Sequence, residues 1–106
     1  MGRKTYTLID GAKRHAKCPD TFEIPDADTR IKCKLGDVVK IGVEFKHDLP
    51  VNGERFWVRI VRTLPSMFEY LGEVDNDLMF TDAHGLRLGD LVTFGPEHVL
   101  EVWDWD

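Results

Sequence analysis

From Val38 onward the chain alternates apolar and polar positions with a period of two. Val39, Ile41, Val43 and Phe45 fall on one face of an extended segment, and Val38, Lys40, Gly42 and Glu44 on the other. One apolar face at this period predicts a half-buried antiparallel strand over 38–45. Pro50 and Asn52-Gly53 follow. Asn-Gly supplies the positive φ angles of a tight reversal, so a hairpin is expected. The returning strand, 55–62, turns Phe56, Val58 and Ile60 toward the core and Arg55, Trp57 and Arg59 away from it. Further strands are predicted over 67–74, 91–94 and 99–103, with turns at 64–66, 75–77 and 95–98. Gly72 predicts a bulge or a close backbone approach. Residues 82–85 read as loop.

Before residue 36 the pattern is weaker. Residues 5–9 read as a short strand. Asp10 is placed to cap a short helix that ends before Pro19. Phe22 and Ile24 point the same way in an extended stretch, and 26–33 adds one helical turn capped by Asp26 or Asp28. Leu-Gly-Asp preceded by a basic residue occurs twice, at Lys34–Asp37 and Arg87–Asp90. Each copy reads as a turn entering a strongly curved strand, with the glycine supplying the turn angle. The expected fold is mainly β and a single domain over 1–106. An N-terminal arm with short helical turns (1–35) precedes an antiparallel β core (36–106). The core is either a small, strongly curved sheet or an SH3-like barrel, the latter by fold analogy.

Composition narrows this further. The 106 residues are 42% hydrophobic, enough for one core and no second. No apolar run approaches the length of a membrane span, and Met1–Tyr6 does not lead into the apolar stretch of a secretory signal. A cytoplasmic protein with no membrane partner is expected. Residues 1–47 carry ten Lys/Arg against seven Asp/Glu, a net of +3, and residues 48–106 four against twelve, a net of −8. The acidic half argues against a sequence-independent grip on nucleic acid, which depends on clustered cations.

The candidate chemistry is thin. His15, Cys18, Cys33 and His47 are the right residue types for zinc, but their spacing fits no paired-ligand site. Asp75, Asp77 and Asp82 lack the glycine and distal Glu of a calcium loop. Ser66 is the single serine, and nothing local marks Cys18 or Cys33 as an activated nucleophile. No catalytic residue, metal or cofactor is expected.

The tryptophans are more informative. Trp57 lies between Arg55 and Arg59 at strand spacing, where guanidinium groups can stack on its ring. Trp103 and Trp105 share a face with Val99 and Glu101, opposite Leu100 and Val102. All three indoles then lie opposite the core. Either the arm covers them as a second small core, or they form an exposed patch for a protein partner, as Trp and Arg commonly do. A stacking platform for single-stranded nucleic acid, built on Arg55, Trp57, Arg59 and Arg62, is the alternative. An enzyme or metalloprotein using the Cys and His residues is a second alternative.

Residues Gly53-Glu-Arg-Phe-Trp-Val-Arg-Ile60, Tyr70-x-Gly72-x-Val74-x-Asn76, Leu88-Gly-Asp-x-Val-x-Phe94, His98-Val99 and Asp104-Trp105 occur in that order. Over roughly residues 36–106 this order resembles the bacterial family called domain of unknown function 2314. The resemblance implies a small bacterial or phage-associated domain, and it carries over no catalytic residue.

Overall fold

The alternation that begins at Val38 becomes the register of a sheet. In the computed structural model, which describes residues 6–45 and 53–103 but not the Met67 side chain, β2 (Val38–Glu44) pairs antiparallel with β3 (Gly53–Leu64). Val39 lies opposite Val58 and Ile41 opposite Phe56 on the inner face, while Lys40 lies opposite Trp57 on the outer. The Asn52 half of the expected hairpin turn lies outside the described residues. β4 (Glu69–Val74) continues the meander from β3, and β5 (Leu91–Phe94) follows from β4. The other edge of β2 is shared. β1 (Thr7–Leu8) takes Val43 and Glu44, and β6 (Glu101–Val102) takes Val39 and Lys40.

The protein is mainly β, a strongly curved antiparallel half-barrel. Among the described residues β5 pairs only with β4, so the sheet does not close on itself. Its curvature has a local origin. The β3–β4 register shifts between Ile60 and Arg62, placing a bulge on β3. Gly72 lies opposite Ile60 and is itself the close approach. A Cβ there would stand 2.8 Å from Phe94 Cε1 and 3.0 Å from Val58 Cγ2.

The two Leu-Gly-Asp turns have the same geometry. Gly36 and Gly89 adopt φ of 90° and 92°. Asp37 Oδ2 accepts from Lys34 N at 2.9 Å, and Asp90 Oδ2 from Arg87 N at 3.0 Å. Each turn then clasps a neighbouring strand through two backbone hydrogen bonds. Gly36 N donates to Ile60 O and Ile60 N to Asp37 O; Gly89 N donates to Val74 O and Val74 N to Asp90 O.

The inner face buries Val39, Ile41, Val43, Phe56, Val58, Ile60, Val74 and Phe94. The arm contributes to this core through Cys33. Ile9 is buried on the other face of β2, where it and Leu100 pack over Gly42. Its helices α1 (Gly11–Lys17) and α2 (Ala27–Ile31) are capped as their sequences require: Asp10 Oδ1 accepts from Lys13 N, and Asp26 Oδ1 from Thr29 N. Tyr70 fastens α2 to the sheet, its hydroxyl lying 2.6 Å from Arg30 O and 2.8 Å from Ile31 O.

Two expectations need correction. Residues 82–85 are not loop: α3 (Thr81–His84) forms a single turn, closed by Gly85 at φ 82°. The closing strand is also shorter than 99–103. Val99 follows a 3-10 turn (Pro96–His98) and is fully buried, so it does not share the outer face with Trp103. Alternation starts only after that turn, with Leu100 buried and Glu101 exposed. Among the described residues no helix is long and apolar enough to cross a membrane.

Candidate functional site

Trp57 is fixed where β4 runs out. Val74 is the last residue of β4 and pairs with Val58, so Trp57 needs new partners on that side. The turn supplies them: Asp75 N donates to Trp57 O at 2.9 Å, and Trp57 N donates to Asn76 Oδ1 at 2.7 Å. A side-chain amide oxygen thus takes over from the strand ladder.

The indole of Trp57 is half-buried on the outer sheet face. Trp103 packs against it edge-on, with ring centroids 5.2 Å apart and planes at 85°. The Trp103 backbone is anchored by donation from its N–H to Val38 O, while the residue is 47% exposed. Perpendicular packing sets the positive edge of one indole against the negative face of the other. Lys40, opposite Trp57 in the register, holds its ammonium 4.8 Å from the centre of the Trp57 ring and 3.1 Å from Glu101 Oε1. Lys40 and Trp103 therefore cover part of Trp57, and the exposed indole surface belongs mainly to Trp103.

The flanking arginines have other partners. Arg55 stands over the Phe22 ring at 5.2 Å, and Arg14 over the same ring at 5.9 Å. Arg59 pairs with Glu73 at 3.1 Å, its direct neighbour on β4. The cation over Trp57 is Lys40, which the strand alternation placed on the same face but which only the β2–β3 register brings opposite Trp57. Trp105 lies outside the described residues. The arm covers Arg55 through Phe22 but leaves Trp103 exposed, so the face is divided between covered and open parts.

The Cys and His candidates are dispersed. His15 Nδ1 lies 2.7 Å from Phe22 O. Cys33 is buried with its thiol directed to Thr29 O at 3.4 Å, and burial, with Asp37 nearby, pushes that thiol up. Cys18 is exposed at the end of α1, and His47 lies outside the described residues. Among the described residues no three His, Cys, Asp or Glu side chains gather as a metal site.

One buried polar cluster was not anticipated. Glu54 occupies an inner-face position of β3, opposite Val43. Its carboxylate accepts from Met79 N at 2.7 Å, Phe80 N at 3.0 Å and His84 Nε2 at 2.8 Å. Leu86 N donates to His84 Nδ1 at 3.0 Å, so the ring proton sits on Nε2 and points at Glu54. Burial alone would raise the Glu54 carboxyl. The Met79, His84 and Phe80 donors outweigh it and hold the group below its ordinary 4.5. The strand period contained the signal, because an acid two residues before Phe56 must face inward. The His84 side chain is fully buried, so this pair secures segment 79–86 rather than meeting a substrate.

No family model, curated protein or solved structure matches the chain.

Proposed function

We propose that this chain is a non-enzymatic interaction module that recognises a protein partner through the outer face bearing Trp57 and Trp103. The observation that carries this reading is a large, anchored and exposed indole, Trp103, seated on a second indole within a rigid sheet. Tryptophan contributes large contact area at low entropic cost and is enriched among the residues that dominate interface energetics. The charge pattern favours protein over nucleic acid. Lys40 and Arg59 are each matched by a carboxylate, and Arg55 is turned to Phe22. A phosphate backbone would have to compete for these three cations. Of the arginines beside Trp57 only Arg62 is exposed with neither an ion pair nor a ring contact among the described residues. The motif order resembles that of the domain of unknown function 2314 family, and on that resemblance we propose a small bacterial or phage-associated protein of the cytoplasm.

The test pairs Trp103→Ala with the wild type. Cross-linking and affinity capture from extract should give cross-links centred on β6 and β3 in the wild type and lose them in the variant. The thermal midpoint should fall by no more than about 8 °C, the cost of losing one edge-on ring pair of about 1 kcal/mol, with the native fold retained. Unchanged capture by Trp103→Ala would reject the site. Tight, salt-dependent binding of a single-stranded oligonucleotide that the substitution abolishes would instead favour the nucleic-acid alternative.

A further inference from the structure

A concave surface lies away from the tryptophans, at the end of the β3–β4 hairpin. A cleft of about 430 Å³ opens there between segment 31–35 and segment 63–70. Its walls include Ile31, Leu35 and Phe68, which are 57%, 63% and 75% exposed. Single exposed apolar residues are ordinary on a protein surface. Three that converge on one concavity of small-molecule size are not.

The floor is rigid and its polar atoms are satisfied. Tyr70 lies there with its hydroxyl committed to the Arg30 and Ile31 carbonyls, and its ring packs on Phe94 at 5.5 Å. The lip is held in an unfavourable conformation. Phe68 has φ 53° and ψ 46°, the one non-glycine residue at positive φ among those described. A bulky aromatic rarely adopts these angles, and such strain concentrates at ligand clamps and functional loops. Here it closes the 3-10 turn (Pro65–Met67) and leaves the Phe68 ring exposed beside the opening.

Lys34 and Glu69 also line the cleft. Among the described residues neither side chain has an ion pair or hydrogen bond, and they do not pair with each other within 4 Å. An anionic amphiphile would bring its charge against Glu69, and a cationic one against Lys34. A ligand carrying both charges satisfies both residues. We propose that this cleft binds a small zwitterion with an apolar body, the chemistry of a free hydrophobic α-amino acid. The apolar side chain lies against Ile31, Leu35 and Phe68, the carboxylate meets the Lys34 ammonium, and the α-ammonium meets Glu69.

The test is a chemical-shift titration of the 15N-labelled protein with L-phenylalanine, N-acetyl-L-phenylalanine and L-phenylalaninamide. Saturable shifts are expected at Cys33, Phe68 and Tyr70 with L-phenylalanine. Each capped compound removes one charge-assisted contact and should bind about tenfold more weakly. Phe68→Gly relieves the positive φ, so it should keep the native spectrum while weakening binding at least about fivefold. Absence of saturation by about 10 mM, equal affinity for the capped compounds, or full binding by Phe68→Gly would each overturn the proposal.

Discussion

Glu54 shows how one side chain can hold a segment that has little regular structure of its own. Three N–H donors from residues 79, 80 and 84 converge on its carboxylate. Glu54→Gln keeps the shape but turns an amide N–H₂ toward a donor, leaving one buried group unsatisfied. That should cost about 1–3 kcal/mol in urea unfolding at pH 7. The same contacts set a pH dependence. The folded carboxyl titrates below its ordinary 4.5, so its stabilising contribution is complete above that value. It is lost as pH falls through the lower, folded value. Wild-type stability should therefore decline below about pH 4.5, and the decline should be shallower in Glu54→Gln. Equal acid slopes in the two proteins would show that other carboxylates govern that limb. The inward position of Glu54 is legible from its parity with Phe56. Its partner His84, thirty residues away, is not, because nothing local links a strand to a distant single-turn helix.

Among the elements, the repeated turn is the feature the sequence described best. Lys34–Asp37 and Arg87–Asp90 each use a glycine at positive φ and an aspartate that accepts from the residue three back. A Cβ at Gly36 or Gly89 meets nothing within 4 Å, so an alanine there suffers only from its backbone angles. Gly36→Ala and Gly89→Ala should each cost about 1–2 kcal/mol. Because the turns clasp different strands, the double variant should be additive within about 0.5 kcal/mol in denaturant unfolding. Gly72→Ala tests a different cause. Its Cβ would strike Phe94 and Val58 in the core, so its cost of about 1–3 kcal/mol comes from overpacking. A smaller residue at Phe94 should recover part of that cost but none of the cost at Gly36. The sequence allowed a bulge or a close approach at Gly72. The structure assigns the close approach to Gly72 and the bulge to β3, because a strand that bends needs an extra residue on one side and a missing side chain on the other.

At the scale of the molecule, the arm and the sheet are tied through Tyr70. Its hydroxyl serves two carbonyls at the end of α2, and Cys33 follows α2 into the core. Tyr70→Phe should cost about 1 kcal/mol and raise amide exchange over residues 27–33 more than over β2 or β3. Uniform loss of protection would show that arm and sheet open together. Burial, followed by the neighbouring Cys33, pushes the Tyr70 phenol up to about 12 from 10.0. A raised folded value means that the stabilisation is complete below pH 10 and is lost as pH rises from there toward about 12. Tyr70→Phe should remove that part of the alkaline limb. Glu54 and Asp26, both lowered, contribute to the acid limb, and Tyr70, Cys33 and Tyr6, all raised, to the alkaline limb.

What the sequence determined by itself is what short-range chemistry dictates. Two-residue alternation set the faces of β2 and β3, Asp10 and Asp26 set the helix starts, and Leu-Gly-Asp set two turns. It also placed Trp57 and Trp103 opposite the core. Which charged neighbour meets which ring depends on cross-strand register and on the packing of the arm. The strand spacing set Arg55 and Arg59 beside Trp57, but side chains two apart on one strand compete with direct cross-strand neighbours. The register gave that position to Lys40, turned Arg55 to Phe22 and paired Arg59 with Glu73. The cleft at Phe68 has the same origin, since it joins residues from the arm and a hairpin tip that only the folded chain brings side by side.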